Sequence, residues 1–170
     1  MALLLQNPTD YLVHETVAEE ASPAARAWVG LEVGERRHPR ELSGGEKQRL
    51  ALAIVLGPPG EESPAVLCLD EPTRGLDRGR KQQLAALLRG LSQAVLVATH
   101  DPEFAAAFAD RVVLLADGSP IADGATAQVL CGGTYFATET ARILGGAGGA
   151  LRAEEGAAVV RQSIEQEVMA

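Results

Sequence analysis

The stretch LSGGEKQRLALAIVLGPPGEESPAVLCLDEPTRGLD, residues 42–77, decides how this chain folds. Its first part predicts a helix, because Ser43 is suited to cap a helix N-terminus, Glu46 follows three residues later, and apolar residues continue from there. Its second part, AVLCLD at 65–70, is a continuous apolar run, which is typical of a strand that is covered on both faces. A helix followed by such a strand predicts part of an α/β fold.

The alternation of helices and strands continues on both sides of this stretch. Downstream, RKQQLAALLRGL at 80–91 has its leucines on one helical stripe, and AVLVATH at 94–100 predicts a second buried strand. RVVLLADGSPIADG at 111–124 predicts a β-hairpin with an Asp-Gly turn, and ALLL at 2–5 predicts a short buried strand. This order of elements indicates the α/β class with a parallel sheet.

Shorter helices are expected before and after this core. Residues 14–29 predict one or two helices that break at Ser22-Pro23. GGAGGA at 145–150 has the composition of a linker to a last helical segment at 152–167. The predicted organisation is a domain over 1–130, a helical subdomain within it at about 8–57, and a C-terminal helical extension over 131–170.

The composition of the chain argues against several classes of protein. With 15 basic and 23 acidic residues among 170, the net charge is -8, which argues against nucleic acid as a partner, since nucleic-acid-binding proteins usually present a basic face. No run approaches the roughly 18 apolar residues of a membrane span, and the first residues lack the basic segment of a signal peptide. Cys68 and Cys131 match no metal-binding spacing, so we expect buried free thiols and a reducing cytoplasm.

Asp70 and Glu71 end the apolar strand of the central stretch. Magnesium prefers carboxylates, waters and phosphates as ligands, so Asp70 is a candidate Mg²⁺ ligand. Neighbouring side chains on a strand point to opposite sides, which lets Glu71 reach a different point and deprotonate a water for attack on a phosphate. The alternative is a solvated acidic loop, and an Asp-Glu pair taken alone favours that interpretation.

His100 and Gln6 end two further apolar runs. Because the carboxyl ends of parallel strands meet at one edge of the sheet, we expect both side chains near Asp70 and Glu71. His100 can donate a hydrogen bond to a terminal phosphate, and the amide of Gln6 can contact a metal or the attacking water. Each also has a plainer interpretation, such as His100 starting a helix beside Asp101. Together, the three polar strand ends predict a phosphate-binding edge.

The segment Ser43-Gly44-Gly45 begins the predicted central helix. Free backbone N–H groups and the helix dipole attract anions, and glycines let a phosphate approach the backbone closely. The alternative is simple capping of the helix, which the same residues also serve.

These motifs resemble those of ATP-binding cassette (ABC) ATPases over about residues 2–124. LSGGEKQRLALA resembles the signature motif, AVLCLDEPTRGLD resembles Walker B and the D-loop, VATHD the switch histidine, and LLLQNP the Q-loop. The resemblance implies a partial P-loop NTPase core that uses ATP and Mg²⁺. By this resemblance, Asp70 binds Mg²⁺, Glu71 is the general base and His100 contacts the γ-phosphate. Gln6 senses the γ-phosphate and a membrane partner. The resemblance also implies that Ser43, Gly44 and Gly45 bind a phosphate held by an opposite subunit and that Asp77 lies at the dimer seam.

A narrower resemblance is to the energy-coupling-factor, or cobalt-type, importers. QNPTDYLVHETVAEE is similar to their Q-loop and following helix, and YFATETARILG…LRAEEGAAVV is similar to their C-terminal extension. HPRELSGGEKQRLALAI and DEPTRGLD are most similar to the second half of chains with two fused cassettes. The resemblance implies a peripheral protein at the cytoplasmic face of the membrane that drives uptake of vitamins or metal ions. Its implied partners are a second ABC ATPase cassette and a transmembrane transporter subunit.

The chain departs from the family pattern in three respects. The Walker A motif GxxxxGK[ST], which holds the nucleotide phosphates, does not occur, and neither does the upstream aromatic residue that stacks on adenine. The segment from Gln6 to Leu42 is short for the family, so we expect a shortened helical subdomain. We therefore expect the downstream part of a cassette, an ATPase that is inactive alone for lack of Walker A. The alternatives are a non-catalytic partner that supplies the signature motif in trans and a gene remnant without a stable fold.

Overall fold

The computed structural model describes residues 1–57, 64–132 and 136–168, so Tyr135 of the predicted extension lies outside the described residues. The chain divides into two compact units, Met1–His100 and Asp101–Ala170. The domain boundary expected after residue 130 stays a prediction. The first unit contains, in chain order, β1 Ala2–Leu4, α1 Val17–Glu20, α2 Pro23–Trp28, α3 Gly44–Leu56, β2 Val66–Asp70, α4 Arg78–Arg89 and β3 Ala94–Ala98.

The strands of the first unit form a three-stranded sheet in the order β1-β2-β3. Both pairs are parallel, and the register aligns Leu4 with Leu69 and Asp70 with Ala98. The predicted parallel α/β arrangement is therefore confirmed. Because all three strands run in the same direction, the residues that follow them emerge at one edge of the sheet.

The two faces of this sheet differ in burial. Leu4 and Leu69 share one face and are at most 2% exposed, and β1 packs with α3 on this side. On the other face Leu3 and Leu96 are 47% and 65% exposed, and Cys68 between them is a free, half-buried thiol. The prediction of strands covered on both faces is therefore wrong for the described residues, because the described elements bury only one of them.

The helical segment before the central stretch folds as its sequence predicts. Thr16 and Glu19 form a capping box at the start of α1, and Ser22 caps α2, whose first residue is Pro23. Proline suits the first turn of a helix because it lacks only an N–H that would be unpaired there. The break between the two helices at Ser22-Pro23 is thus confirmed, and both helices pack on α3.

The second unit contains a hairpin and four helices in its described part. Asp117 and Gly118 have φ of 48° and 74°, as a tight turn between the two hairpin strands requires, so the predicted Asp-Gly turn is confirmed. Leu130 and Leu151 lie in a small apolar core, and the thiol of Cys131 is half-buried rather than buried. No described helix is long and apolar enough to cross a membrane. The elements are α5 Pro102–Phe108, β4 Arg111–Ala116, β5 Ser119–Ala125, α6 Thr126–Cys131, α7 Glu139–Ile143 and α8 Ala153–Val168.

Candidate functional site

The carboxyl edge of the sheet in the first unit carries polar side chains. Asp70 is the last residue of β2 and is exposed, and Gln6 is exposed two residues beyond the end of β1. Thr99 and His100 follow β3 directly. We call Gln6, Asp70, Glu71, Thr99 and His100 the sheet-edge group. The sequence predicted that the other four residues lie at one edge of the sheet, and the parallel topology agrees with this. Thr99 was not predicted.

Glu71 occupies an unusual backbone conformation just beyond β2. Its φ is 45°, in the left-handed region that side chains other than glycine rarely adopt, and its N–H donates to the carbonyl of Ala98 at 2.8 Å. The backbone of Glu71 thus stays hydrogen-bonded to β3, while its side chain no longer follows the alternating directions of side chains along a strand. The expected alternation of Asp70 and Glu71 along a strand does not set their directions, since Glu71 lies outside the strand.

The side chain of Glu71 is held by the end of β3. Its Oε1 accepts the backbone N–H of His100 at 3.0 Å and lies 2.7 Å from Nδ1 of the same histidine. Its Oε2 accepts the Thr99 hydroxyl at 3.4 Å. The Glu71 side chain is 19% exposed and that of His100 is 86% exposed. The carboxylate is therefore fixed in a partly buried place, whereas the imidazole remains open to a ligand.

Magnesium would find only part of its coordination shell here. In the described parts of the chain no group of three or more His, Cys, Asp or Glu side chains is arranged to hold a metal ion. Mg²⁺ in nucleotide sites is usually held by one or two carboxylates together with waters and substrate phosphates. The exposed carboxylate of Asp70 fits that requirement as a single protein ligand, and the exposed amide of Gln6 is a weaker candidate.

The start of α3 is a complete capping box. Ser43 Oγ accepts the N–H of Glu46 at 3.4 Å, and the N–H of Ser43 donates to Glu46 Oε2 at 2.7 Å. These hydrogen bonds from the Ser43 backbone and then its side chain hold the pKa of Glu46 below its ordinary value. The plain capping interpretation of Ser43 is therefore fulfilled. Capping does not exclude a phosphate contact, because Gly44 beside it is exposed.

Asp77 is the N-cap of α4. Its Oδ1 accepts the N–H of Arg80 at 2.9 Å, and its Oδ2 lies 3.4 Å from Arg80 Nε. The Arg80 side chain in turn lies against Gly45 of α3. We call Ser43, Gly44, Gly45, Asp77 and Arg80 the helix-seam group. Sequence reasoning missed Arg80, for which the only signal was a basic residue three positions after a predicted motif aspartate.

The predicted residues fall into two sets within the first unit, the sheet-edge group and the helix-seam group. In the sheet-edge group, hydrogen bonds join Glu71 to Thr99 and His100, while Gln6 and Asp70 belong to it by their positions at the strand ends. The helix-seam group is joined through Arg80, which contacts both Asp77 and Gly45. The resemblance implies hydrolytic roles for Glu71 and His100 in the first set, and contact with an opposite subunit for the predicted residues of the second, and these roles stay predictions.

Comparison with known sequences gives a consistent set of relatives. A family model described as ABC transporter matches residues 4–74, which include Gln6, Ser43 and Glu71 and end before Asp77. A putative ABC transporter ATP-binding protein of Streptomyces avermitilis is 43% identical over 161 residues, covering 85% of this chain. The match covers 28% of that protein, so the chain spans less than a third of the length of this curated relative.

Solved structures show the same fold. The structure of cbiO1 from Clostridium perfringens, described as part of the ABC transporter complex cbiONQ, matches with a TM-score of 0.65 and 28% identity over 75% of this chain and 58% of that chain. The dimeric structure of MJ0796, described as a bacterial ABC transporter cassette, matches with a TM-score of 0.52 and 29% identity over 60% of this chain and 44% of that chain.

Proposed function

Because this chain belongs to the family of ABC transporter ATPases, we propose that it is the ATP-binding and ATP-hydrolysing part of an importer of the energy-coupling-factor type. The similarity to cbiO1, described as part of a transporter complex, supports this type. The proposed setting is the cytoplasmic face of the membrane, with a second cassette and a transmembrane subunit as partners. The proposed cargo is a vitamin or a metal ion.

The observation that carries this proposal is the fixed carboxylate of Glu71 beside an exposed His100. Oε1 of Glu71 already accepts from His100, so Oε2, with one long hydrogen bond from Thr99, is the oxygen left to accept a proton from water. That water's oxygen attacks the γ-phosphorus as the bond to the bridging oxygen breaks, and its proton passes to the carboxylate. The left-handed backbone of Glu71 is a strained geometry of the kind found at functional sites.

The other residues of the sheet edge would bind the nucleotide. His100 would donate a hydrogen bond to the γ-phosphate, a role supported by its exposed ring and by the contact of its Nδ1 with Glu71. Asp70 would hold Mg²⁺, which would neutralise phosphate charge when bound, and Gln6 would contact the ion or the attacking water. These roles follow the family motifs, position by position.

A second candidate function is a partner cassette that contributes to hydrolysis only in trans. The open approach to Gly44 favours it, because no atom lies within 4 Å of the place where a side chain at Gly44 would begin. A phosphate held by another subunit can therefore reach the free N–H groups at the start of α3. In this function Ser43, Gly44, Gly45 and Asp77 act, and Glu71 is dispensable.

The experiment that tests both functions is a composite-site assay. The 170-residue chain is mixed with an ABC cassette that has an intact Walker A motif and a disabled signature motif, and phosphate release is measured with each protein alone as the baseline. The proposal predicts a rise that depends on Ser43, so that the Ser43→Arg chain gives none. Equal activity of the original and Ser43→Arg chains contradicts the role in trans.

The role of Glu71 needs a separate arm. The Walker A segment of a related ABC ATPase is fused ahead of this chain, and the fusion is mixed with a cassette whose own general base is mutated but whose signature motif is intact, so that the nucleotide and Glu71 lie in one subunit and Glu71 is the only available base. Hydrolysis that is lost in the Glu71→Gln chain supports the hydrolytic function. Hydrolysis only in the first mixture supports the partner function in its place.

A further inference from the structure

We propose that Arg80 is a positioning residue that fixes the start of helix α3 relative to Asp77, and that Gly45 lacks a side chain because the Arg80 side chain occupies that space. The consequence for activity rests on the proposed function in trans. The contact itself is tested independently of that function.

The two glycines at the start of α3 have different surroundings. A Cβ at Gly45 would lie 2.9 Å from Arg80 Cδ, 3.0 Å from its Nη1 and 3.1 Å from its Nε. A Cβ at Gly44 would meet no atom within 4 Å. Gly45 is buried, whereas Gly44 is exposed. One glycine therefore leaves space for an external group, and the other accommodates a side chain of the same protein.

Asp77 contacts Arg80 at two points, the backbone N–H and the guanidinium. The carboxylate accepts the Arg80 N–H through Oδ1, and its Oδ2 is 3.4 Å from Nε. The same carboxylate caps α4 through the backbone N–H of Arg80, so the residue that starts this helix also lies beside the Arg80 side chain, which is 45% exposed. Because it contacts both Asp77 and Gly45, the arginine links the segment after β2 to the first turn of α3.

A second arginine links α3 to α4 further along the two helices. Arg49 of α3 donates to the carbonyl of Val29 at 2.6 Å and to the side chain of Gln83 on α4. The groove beside this pair is lined by Gly45, Arg49, Arg80 and Gln83, among others. Since α3 and α4 are already joined through Arg49, Arg80 sets the position of their N-terminal ends.

The position of these ends decides how well a phosphate fits. Gly44, in the first turn of α3, carries a backbone N–H that has no partner within the helix, and Asp77 is the residue that the motif places at the seam with another cassette. Misplacement of such groups by about 1 Å can cost on the order of a hundredfold in rate. Loss of the Arg80 contact should therefore lower turnover in the composite site without removing nucleotide binding by the partner cassette.

The contact is tested by a double-mutant cycle of thermal melting with Gly45→Ala, Arg80→Ala and the combined variant of the full chain. Alanine is the better helix former, so Gly45→Ala should raise the melting temperature if space were available. The atoms in the way belong to the half-exposed end of the Arg80 side chain, so we expect Gly45→Ala to fall short of this gain, and we expect Arg80→Ala in the same chain to restore most of it. Gly44→Ala is the matched control, with no loss of this gain and no dependence on Arg80.

The positioning role is tested in the composite-site assay. We expect Arg80→Ala to reduce kcat about tenfold or more with little change in KM for ATP, and Arg80→Lys to restore part of it. Arg78→Ala, which removes the same charge from the exposed first position of α4, should leave kcat unchanged.

Three outcomes overturn the proposal. The first is a combined variant no more stable than Gly45→Ala, and the second is an equal loss of kcat in the Arg78 and Arg80 variants. The third is an increase in KM alone. If even the original chain gives no composite-site activity, the proposed function in trans fails, while the melting cycle still decides whether Arg80 determines the need for glycine at position 45.

Discussion

At the sheet edge the carboxylate of Glu71 accepts the backbone N–H of His100 and contacts Nδ1 of its ring, and at the helix seam the carboxylate of Asp77 accepts the backbone N–H of Arg80 and lies 3.4 Å from its Nε. The backbone differs, since Glu71 has φ of 45° and Asp77 has an ordinary extended conformation with φ of -71°. The exposure of the two acidic side chains differs as well: that of Glu71 is 19% exposed and that of Asp77 is 65% exposed.

The differences in backbone conformation and exposure indicate that the two carboxylates have different roles. The extended conformation of Asp77 is what a helix cap needs, so the bonds of Asp77 are explained by local structure alone. The bonds of Glu71 cap no helix and hold a strained residue in a partly buried place. A strained, shielded carboxylate next to an exposed imidazole is the arrangement that the proposed hydrolytic role of Glu71 requires.

The largest effect should come from the sheet edge. We expect Glu71→Gln to lower the rate of phosphate release in an assembly that depends on this base by about 10²–10⁴-fold, because the amide cannot accept a proton from water. The melting temperature should change little, since glutamine keeps an oxygen for the His100 N–H. Asp77→Asn is the matched control at the seam, and a loss of rate as large as that for Glu71→Gln would remove the distinction between the two groups.

The next effect tests how firmly the sheet edge rests on the core. Leu69 lies directly before Asp70 and is 2% exposed, so Leu69→Ala should reduce the free energy of unfolding by about 2–5 kcal/mol through the cavity it leaves. Leu96 on the opposite face is 65% exposed, and Leu96→Ala should cost about 0.5 kcal/mol or less. Urea unfolding of both variants measures the difference, and equal losses would mean that both faces are covered.

A smaller effect belongs to the helix seam. Ser43→Ala removes the side-chain cap of α3 and should cost about 1 kcal/mol in the free energy of unfolding. Ser43→Thr keeps a capping oxygen and should cost less. An unchanged free energy of unfolding in Ser43→Ala would mean that the capping bond does not stabilise the fold. Stability would then no longer explain the contacts of the helix-seam group, and the contrast with the sheet-edge group would fail.

The smallest effect is a pH dependence at the same cap. The pKa of Glu46 is lowered from its ordinary value of 4.5 in the folded chain, mainly by the Ser43 N–H. Its contribution to stability is therefore complete above that ordinary value and is lost as the pH falls through the lowered one. In Glu46→Gln this part of the acid-induced loss should be absent. Unfolding curves from pH 7 downward test this, and identical pH profiles of the two chains would contradict it.

Several parts of this picture follow from sequence for clear physical reasons. Apolar runs that alternate with helical patterns predict parallel strands, and parallel strands bring Gln6, Asp70 and His100 to one edge whatever the details of the packing. The capping box at Ser43 and the turn at Asp117 are equally local. Such features depend on neighbours within a few residues, and the structure contains them.

Other parts depend on contacts between distant residues and were not predictable. The left-handed backbone of Glu71 is stabilised by its bonds to Ala98 and His100, which no pattern around position 71 reveals. The burial of Gly45 by Arg80 likewise exists only once α3 and α4 pack. The apolar run of β3 predicts burial, but an apolar run does not specify what covers it, and Leu96 is exposed.

The exposed face and edge of β3 bear on the colloidal behaviour of the protein. Among the described residues β3 pairs only with β2, so its other side presents unpaired backbone groups next to an exposed leucine, which is a template for association between copies. The net charge of -8 opposes this by mutual repulsion. Repulsion is screened over about 10 Å at 0.1 M salt and about 3 Å at 1 M. Dilute buffer should therefore keep the chain dispersed, and concentrated salt should drive it into strand-paired assemblies.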